Sequence, residues 1–356
     1  MAIHVGALAP RFVCPTVTNP RFQSAAFGAR YVLLAFAPDE PAAREAAFAA
    51  MGAHRGLFDD ERISAFGVLR DEAVIAKARD QRGLRWFLDR DGAVSRLFDA
   101  IGPNGEPRPR WVLIDPFEAV MACMPIEASE AFFDLVRALP PPEEHAGVPV
   151  TAPILIAPRI FPRDLCRHLI ETYEREGGRP SGVMREIDGR TVPVLDDAKR
   201  RSDANITDPD LIEEIHRRLR LNLLPQIRKV FQFAVTRVER NIVACYDAAE
   251  EGYFSRHRDD TTQGTAHRRF ACSINLNAED FEGGDLRFPE FGPRTYRPPT
   301  GGAAIFSCSL LHEATPVTAG RRYAFLPFFY DEAGAQVRAQ NAGFVGAATA
   351  QPEPAT

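Results

Sequence analysis

Short continuous apolar runs separated by stretches of helical spacing mark the first part of the chain. Residues 30–37, Arg-Tyr-Val-Leu-Leu-Ala-Phe-Ala, have the length and apolarity of a buried strand. A helix is predicted after it, since Pro41 suits a first helical turn and Phe48, Met51 and Leu57 return at near-helical spacing. Ile63 to Leu69 predicts a second strand, Glu72 to Gln81 a second helix, Trp111-Val-Leu-Ile-Asp a third strand, and Ala128 to Leu139 a closing helix. Such alternation predicts an α/β layer with a largely parallel sheet.

Residues 140–153, Pro-Pro-Pro-Glu-Glu-His-Ala-Gly-Val-Pro-Val-Thr-Ala-Pro, have no periodicity and read as a linker, stiff where the prolines run together. Strand-like Ile154-Leu-Ile-Ala follows. A helix then starts near Arg163, with Leu165, Leu169, Ile170 and Tyr173 on one face and Gly177-Gly178 ending it. A further helix runs from about Asp208 through Leu219, and Pro225 should kink or interrupt it. Between the two helices, Lys199-Arg-Arg-Ser-Asp-Ala-Asn reads as a solvated loop. Strand-type runs dominate from Ile242 to Tyr330, and the small, polar residues 334–356 read as a poorly ordered tail.

A chain of 356 residues can hold two domains, each with its own core. Up to residue 150 there are 16 basic and 20 acidic residues, and 27 and 28 thereafter, so neither half carries the basic excess of a nucleic-acid footprint. No run of about twenty apolar residues predicts a membrane span, and the first residues lack the pattern of a signal peptide. The expectation is a cytoplasmic protein. Six cysteines, Cys14, Cys123, Cys166, Cys245, Cys272 and Cys308, are scattered without a Cys-x-x-Cys or zinc-type spacing and read as reduced thiols.

Candidate chemistry concentrates between Ile242 and Tyr330. His257 and Asp259 stand two apart at the end of a strand-like run, where i and i+2 side chains share a face. His312 follows the apolar run from Gly302 to Leu311. Two histidines and one carboxylate on one face of a metal form the triad that non-haem Fe(II) uses to leave positions open for a co-substrate and oxygen. A plain zinc hydrolase is the competing use of such ligands. In Arg322-Tyr-Ala-Phe-Leu-Pro, alternation turns Arg322 inward, where a guanidinium would clamp the distal carboxylate of 2-oxoglutarate. A bulge would reverse the parity and present Arg321 instead. Tyr246 on its own reads as a core tyrosine, and His267, among Thr, Gly, Ala and Arg, as a solvated residue.

These motifs, together with Gly283-Gly-Asp-Leu-Arg-Phe-Pro and His312-Glu-Ala-Thr-Pro-Val-Thr-Ala-Gly-Arg-Arg322, resemble the 2-oxoglutarate/Fe(II) dioxygenases of the prolyl hydroxylase type over roughly residues 154 to 332. The approach Ala244-Cys-Tyr-Asp followed by Gly252-Tyr-Phe-Ser-Arg-His is especially similar to the hypoxia-type enzymes. The resemblance implies an α+β domain, residues 154–333, built as a double-stranded β-helix (jelly-roll) barrel with flanking helices. It also implies Fe(II) on His257, Asp259 and His312, 2-oxoglutarate on Arg322 and Tyr246, O2 as oxidant, and ascorbate as an auxiliary reductant. The substrate class implied is a peptide or protein, prolyl for the family, with a small molecule as the alternative. The family's mobile loop makes a lid the alternative reading of 199–205.

Residues 1–139 resemble a peroxiredoxin of the thioredoxin fold through Val5-Gly-Ala-Leu-Ala-Pro-Arg-Phe, Val32-Leu-Leu-Ala-Phe-Ala-Pro, Phe87-Leu-Asp-Arg-Asp-Gly-Ala-Val and Trp111-Val-Leu-Ile-Asp-Pro. The family's Pro-x-x-x-Thr-x-x-Cys loop is lost: Pro38 is followed by Ala42 and Glu45. A carboxylate cannot replace a thiolate nucleophile, and Arg108 would have no thiolate to support. This domain is therefore expected to be inactive as a peroxidase and to serve docking, dimerisation or regulation. The leading expectation is a 2-oxoglutarate-dependent C–H hydroxylase. The alternatives are a thiol peroxidase acting through the first domain and a non-catalytic binding protein.

Overall fold

The structure, a computed structural model, describes residues 3–346. By its internal contacts the chain divides into two units, Met1–Thr151 with Pro289–Pro293, and Ala152–Phe288 with Arg294–Thr356.

The first unit is an α/β layer on five strands, β1 (Tyr31–Phe36), β2 (Ile63–Leu69), β3 (Leu84–Leu88), β4 (Arg110–Ile114) and β5 (Val120–Pro125), in the order β3-β2-β1-β4-β5. The sheet is mixed where a largely parallel one is expected: β1, β2 and β3 run parallel, while β4 is antiparallel to both β1 and β5. The reason is the tight turn after β4. There Asp115 accepts the backbone N–H groups of Phe117 and Ala119, and a hairpin replaces a crossover.

Helix α1 (Pro41–Ala53) starts where Pro41 predicts, with the Glu40 carboxylate accepting the N–H groups of Ala42 and Ala43 at 3.0 and 2.6 Å. The expected helix from Glu72 shortens to Glu72–Ile75. Helix α2 (Ser129–Arg137) lays Phe132 and Phe133 against Trp111 on one face of the sheet, and Phe12, Phe27, Phe87 and Phe98 fill the other. Glu45 is exposed on α1, Arg108 is paired with Asp99 and Glu106, and Cys14 is buried with its thiol pushed up to about 12 by burial, reinforced by Asp89. The Leu88 backbone and Arg90 act the other way but are outweighed, so the thiol stays protonated.

The second unit sets helices outside a pair of sheets. Its helices are α3 (Arg163–Glu176), α4 (Pro209–Arg218), capped by Asp208, and α5 (Leu224–Phe231), joined to α4 by a π-turn over Leu219–Leu223. Pro225 stands in the first turn of α5, where its missing N–H leaves no hydrogen bond unmade.

Fourteen strands matter for the site. They are β6 (Leu155–Ala157), β7 (Lys199–Arg200), β8 (Ser202–Asn205), β9 (Arg237–Glu239), β10 (Ile242–Asp247), β11 (Tyr253–His257) and β12 (Phe270–Asn275), then β13 (Phe281–Gly283), β14 (Leu286–Arg287), β15 (Thr295–Tyr296), β16 (Ala303–Ser307), β17 (His312–Ala314), β18 (Val317–Phe325) and β19 (Phe328–Tyr330). The larger sheet runs β9-β19-β12-β18-β10-β8, with β13 on β18 and with β16 between β12 and β6. The smaller runs β7-β11-β17-β14-β15.

Strand alternation divides the larger sheet. Val243, Cys245, Cys272, Ile274, Tyr323 and Phe325 face the helices and pack with Leu169, Ile215 and Ile227, while Ala244, Tyr246 and Ala324 face inward and share a cluster with Ala314 and Phe254 of the smaller sheet. The two sheets stay separate among the described residues, so the expected closed barrel is an open sandwich. The chain leaves β17 for β18 at Thr315 and Pro316, and Pro316 has no N–H with which to continue a ladder around that corner.

Two further expectations are corrected. Residues 199–205 are neither a solvated loop nor a lid but a strap between the sheets: Lys199 and Arg200 pair with Phe254 and Tyr253, and Ser202–Asn205 pair with Cys245–Ile242. The segment read as the start of a poorly ordered tail forms helix α6 (Glu332–Gln340), because Asp331 caps it through the N–H of Gly334 and its alanines favour the helix. The rest of that tail, from 347 on, lies outside the described residues.

Residues 148–151 donate none of the loop and turn hydrogen bonds and are mostly exposed. Limited digestion with a glutamyl endopeptidase should therefore cut after Glu143 or Glu144 well before any other site, giving two fragments that each keep a cooperative thermal transition. First cuts elsewhere, or a fragment without such a transition, would move the boundary.

Candidate metal centre

His257 ends β11 and His312 begins β17, and the two stand directly opposite each other across the ladder, past a bulge that starts at Phe254. Their ring centroids are 4.2 Å apart. Asp259 lies beyond the end of β11, so strand alternation does not place it; its N–H instead donates to the carbonyl of Cys308 at 2.9 Å. Asp259 Oδ1 is 3.6 Å from His257 Nε2, and Oδ2 is 3.4 Å from His312 Nε2. All three donor atoms lie within 4.8 Å of one another. One first-row ion with bonds of about 2.0–2.2 Å can reach all three after a small inward adjustment.

The same local device orients both imidazoles. His257 Nδ1 lies 2.7 Å from the carbonyl of Ser255 and His312 Nδ1 lies 3.0 Å from that of Leu310, in each case two residues upstream. A carbonyl only accepts, so Nδ1 carries the proton and Nε2 offers its lone pair inward. Burial pushes the His312 imidazole down to about 4, with His257 acting in the same direction against Asp259. For Asp259, burial acts upward, but His312 and His257 outweigh it and hold the carboxyl below its usual range. At neutral pH the site thus presents a carboxylate and a neutral His312, the protonation states that bind metal.

A second layer holds the segment that carries Asp259. Arg268 reaches the carbonyl of Asp259 at 3.5 Å and grips Glu239 with Nη2 and Nε at 2.6 and 3.1 Å. His267, expected to be solvated, is buried with Nε2 2.7 Å from Glu239. Its neighbours in sequence are polar, but β9 supplies a half-buried carboxylate that sequence distance conceals. Buried Cys308 is held well above the usual thiol range, first by burial and then by the Asp259 charge.

Arg322 stands inward on β18 opposite Tyr246 of β10 and is 2% exposed, whereas the Arg321 side chain is 54% exposed and paired with Asp247 at 2.7 Å. Arg322 Nη2 donates to Ser273 Oγ at 2.8 Å, Nε lies 3.4 Å from Asn275 Oδ1, and the guanidinium is 5.1 Å from the Tyr246 ring centroid. Its Nη1 has no hydrogen-bond partner among the described residues. Gly284 makes room for it: at φ +66° it takes a backbone that favours glycine, and a Cβ there would stand 3.2 Å from Arg322 Cδ and 2.8 Å from Val317.

Tyr246 is buried and its hydroxyl accepts from Arg201 Nη1 at 3.3 Å. The sequence reading missed Ser273, Asn275 and Arg201. Ser273 and Asn275 were within reach of it, since they alternate with Cys272 and Ile274 in an otherwise apolar strand.

No family model matches the chain. A PKHD-type hydroxylase from Synechococcus sp. is 28% identical over 120 residues, which cover 28% of this chain and 53% of that protein. The chain thus spans about half the length of the curated relatives it matches. Among solved structures, a Trichoplax adhaerens prolyl hydroxylase in complex with a hypoxia inducible factor peptide fragment has a TM-score of 0.40 at 16% identity, covering 58% of this chain and 96% of that one. A mitochondrial 2-Cys peroxiredoxin from Plasmodium falciparum has a TM-score of 0.33 at 14% identity, covering 38% of this chain and 90% of that one. Among the described residues no helix is long and apolar enough to cross a membrane.

Glu239 is held far below the usual carboxyl range: burial acts upward, but His267 and Arg268 outweigh it. Glu239→Gln should destabilise the protein by about 3–5 kcal/mol at pH 7, because it leaves half-buried Arg268 and buried His267 without their shared carboxylate. A carboxyl depressed in the folded state stabilises above its unfolded pKa and loses that contribution as pH falls. The gap to wild type in urea titrations should therefore narrow by about 1 kcal/mol between pH 7 and pH 3.5. A constant gap, or none, would remove Glu239 from this role.

Proposed function

We propose that this chain is an Fe(II)- and 2-oxoglutarate-dependent dioxygenase that hydroxylates an unactivated C–H bond, with His257, Asp259 and His312 as the iron ligands. Arg322 carries the reading. It is a buried cation with no carboxylate partner among the described residues, one guanidinium nitrogen unused, and neutral Ser273, Asn275 and Tyr246 around it. A buried arginine in such company requires an anion, and a dicarboxylate whose other end chelates the metal supplies one. Bound Fe(II), with 2-oxoglutarate and O2, provides the oxidising power, and succinate and carbon dioxide are the co-products.

The chain's part is positional. Ser255 and Leu310 carbonyls aim the two imidazoles, the Cys308 carbonyl and Arg268 fix the segment of Asp259, and Tyr246 and Gly284 shape the slot around Arg322. Ser273 and Asn275 hold the guanidinium so that its remaining donor is preorganised for a carboxylate. The apolar layer of Ala244, Ala314, Ala324 and Leu326 keeps water from the pocket. The substrate we propose is a peptide, with proline as the residue oxidised, on the order of motifs shared with prolyl hydroxylases. The thiol peroxidase alternative has little to stand on, given the buried, protonated Cys14.

Arg322→Ala should leave Fe(II) binding nearly unchanged yet weaken 2-oxoglutarate by about 2–5 kcal/mol, roughly thirty-fold to several thousand-fold. Arg321→Ala, at an exposed position, should change it little. Titration of 2-oxoglutarate into the anaerobic Fe(II) proteins, followed by the metal-to-ligand absorbance, reads this directly. Equal affinities in wild type and Arg322→Ala, or undiminished 2-oxoglutarate turnover in His312→Ala, would overturn the assignment.

A further inference from the structure

The strap between the two sheets carries cations that the reading above does not use. Lys199 and Arg201 flank the point where the chain passes from the smaller sheet to the larger. Arg201 is buried, pairs with Asp203 at 2.7 Å and lies 5.7 Å from the Tyr246 ring on which Arg322 also rests, and its Nε has no hydrogen-bond partner among the described residues. Lys199 Nζ lies 5.0 Å from the Phe254 ring centroid, and that ring stacks on His257 at 3.5 Å. The ammonium is thus one aromatic layer from a metal ligand. It donates only to Ser181 Oγ at 2.6 Å and the carbonyl of Gly182 at 3.0 Å, and no carboxylate lies within ion-pair distance of it among the described residues.

The charges do not balance. Asp203 answers Arg201, and Asp259 faces the metal. Asp259 and doubly charged 2-oxoglutarate together answer the divalent ion and Arg322, which leaves the ammonium uncompensated. Burial and the neighbouring Arg201 push the Lys199 amine down to about 6, against Asp203 and Asp259, so its charged form is poorly supported as the pocket stands. A half-buried, unpaired cation of this kind is completed by an anion.

We propose that Lys199, backed by Arg201, binds a carboxylate of the primary substrate, so that the molecule oxidised at this centre is an acid and not a neutral peptide segment. This inference rests on the dioxygenase reading for its second ligand only. The carboxylate belongs either to the oxidised residue itself or to a neighbouring acidic side chain, and the two sources are separable by experiment.

The whole 356-residue chain is loaded with Mn(II), which binds without turnover, and saturated with 2-oxoglutarate so that Arg322 is occupied. N-acetylproline and its amide, and N-acetylaspartyl-prolinamide and its asparaginyl counterpart, are then titrated calorimetrically. At least one acid should bind roughly ten- to hundred-fold more tightly than its neutral partner, and the pair that shows this names the source of the carboxylate. Lys199→Gln should abolish the preference and Lys199→Arg should keep most of it, while both variants retain wild-type affinity for Mn(II) and 2-oxoglutarate. Equal binding within both pairs, no binding of any acid, or a preference that survives in Lys199→Gln overturns the proposal. If 2-oxoglutarate itself fails to bind, the dioxygenase reading falls; the same four compounds on the Mn(II) protein alone then decide the Lys199 site separately.

Discussion

Keeping one carboxylate ionised almost out of water is the constraint that organises the second unit. Asp259 sits between two imidazoles, and burial keeps one of them, His312, neutral, so that ring offers no counter-charge at neutral pH. Such an anion persists only if its backbone is fixed, its neighbours point donors or lone pairs the right way, and a cation arrives. Each requirement has its element: the Cys308 carbonyl and Arg268 fix the backbone, the carbonyls of Ser255 and Leu310 turn the rings, and the gap between the donor atoms has room for an ion. The Glu239 cluster behind them serves the same end, since Arg268 can reach Asp259 only while its own charge is answered.

What the sequence made legible follows from which forces are local. Strand alternation is local, and it separated Arg322 from Arg321 correctly because β18 carries no bulge between them and Tyr246. Pro41 and Asp208 likewise announced their helices through capping chemistry confined to a few residues. Pairings over long separations were illegible. Nothing near His267 shows that Glu239 will meet it, and nothing in Lys199–Asn205 shows that two different sheets will capture its two ends. Polar residues in an unpatterned stretch were read as solvated because solvent is their usual partner; here buried counter-charges replaced it. The expected closure of the barrel failed for a related reason, since closure depends on ladders between strands distant in sequence and on corners such as Pro316.

The inward face of the larger sheet shows how polar groups can be buried without loss of the fold. Ser273, Asn275, Tyr246 and Arg322 occupy one side of three adjoining strands, and the other side of those strands presents a mainly apolar face to the helices. The helical layer supplies the burial that stabilises the sheet, which frees the opposite face to carry chemistry. In the first unit both faces of the sheet are filled with aromatic and aliphatic side chains, and no comparable polar face is left.

The condition of Cys308 bears on which metal the site would choose. Its backbone supports Asp259 while its thiol, buried and repelled by that carboxylate, is kept protonated. Soft ions such as Cu(I) gain their advantage from thiolate sulfur, and this centre denies it to them although a sulfur-bearing residue stands beside it. The neutral thiol is also slow to oxidise, which suits a residue placed next to the oxygen chemistry proposed for this centre.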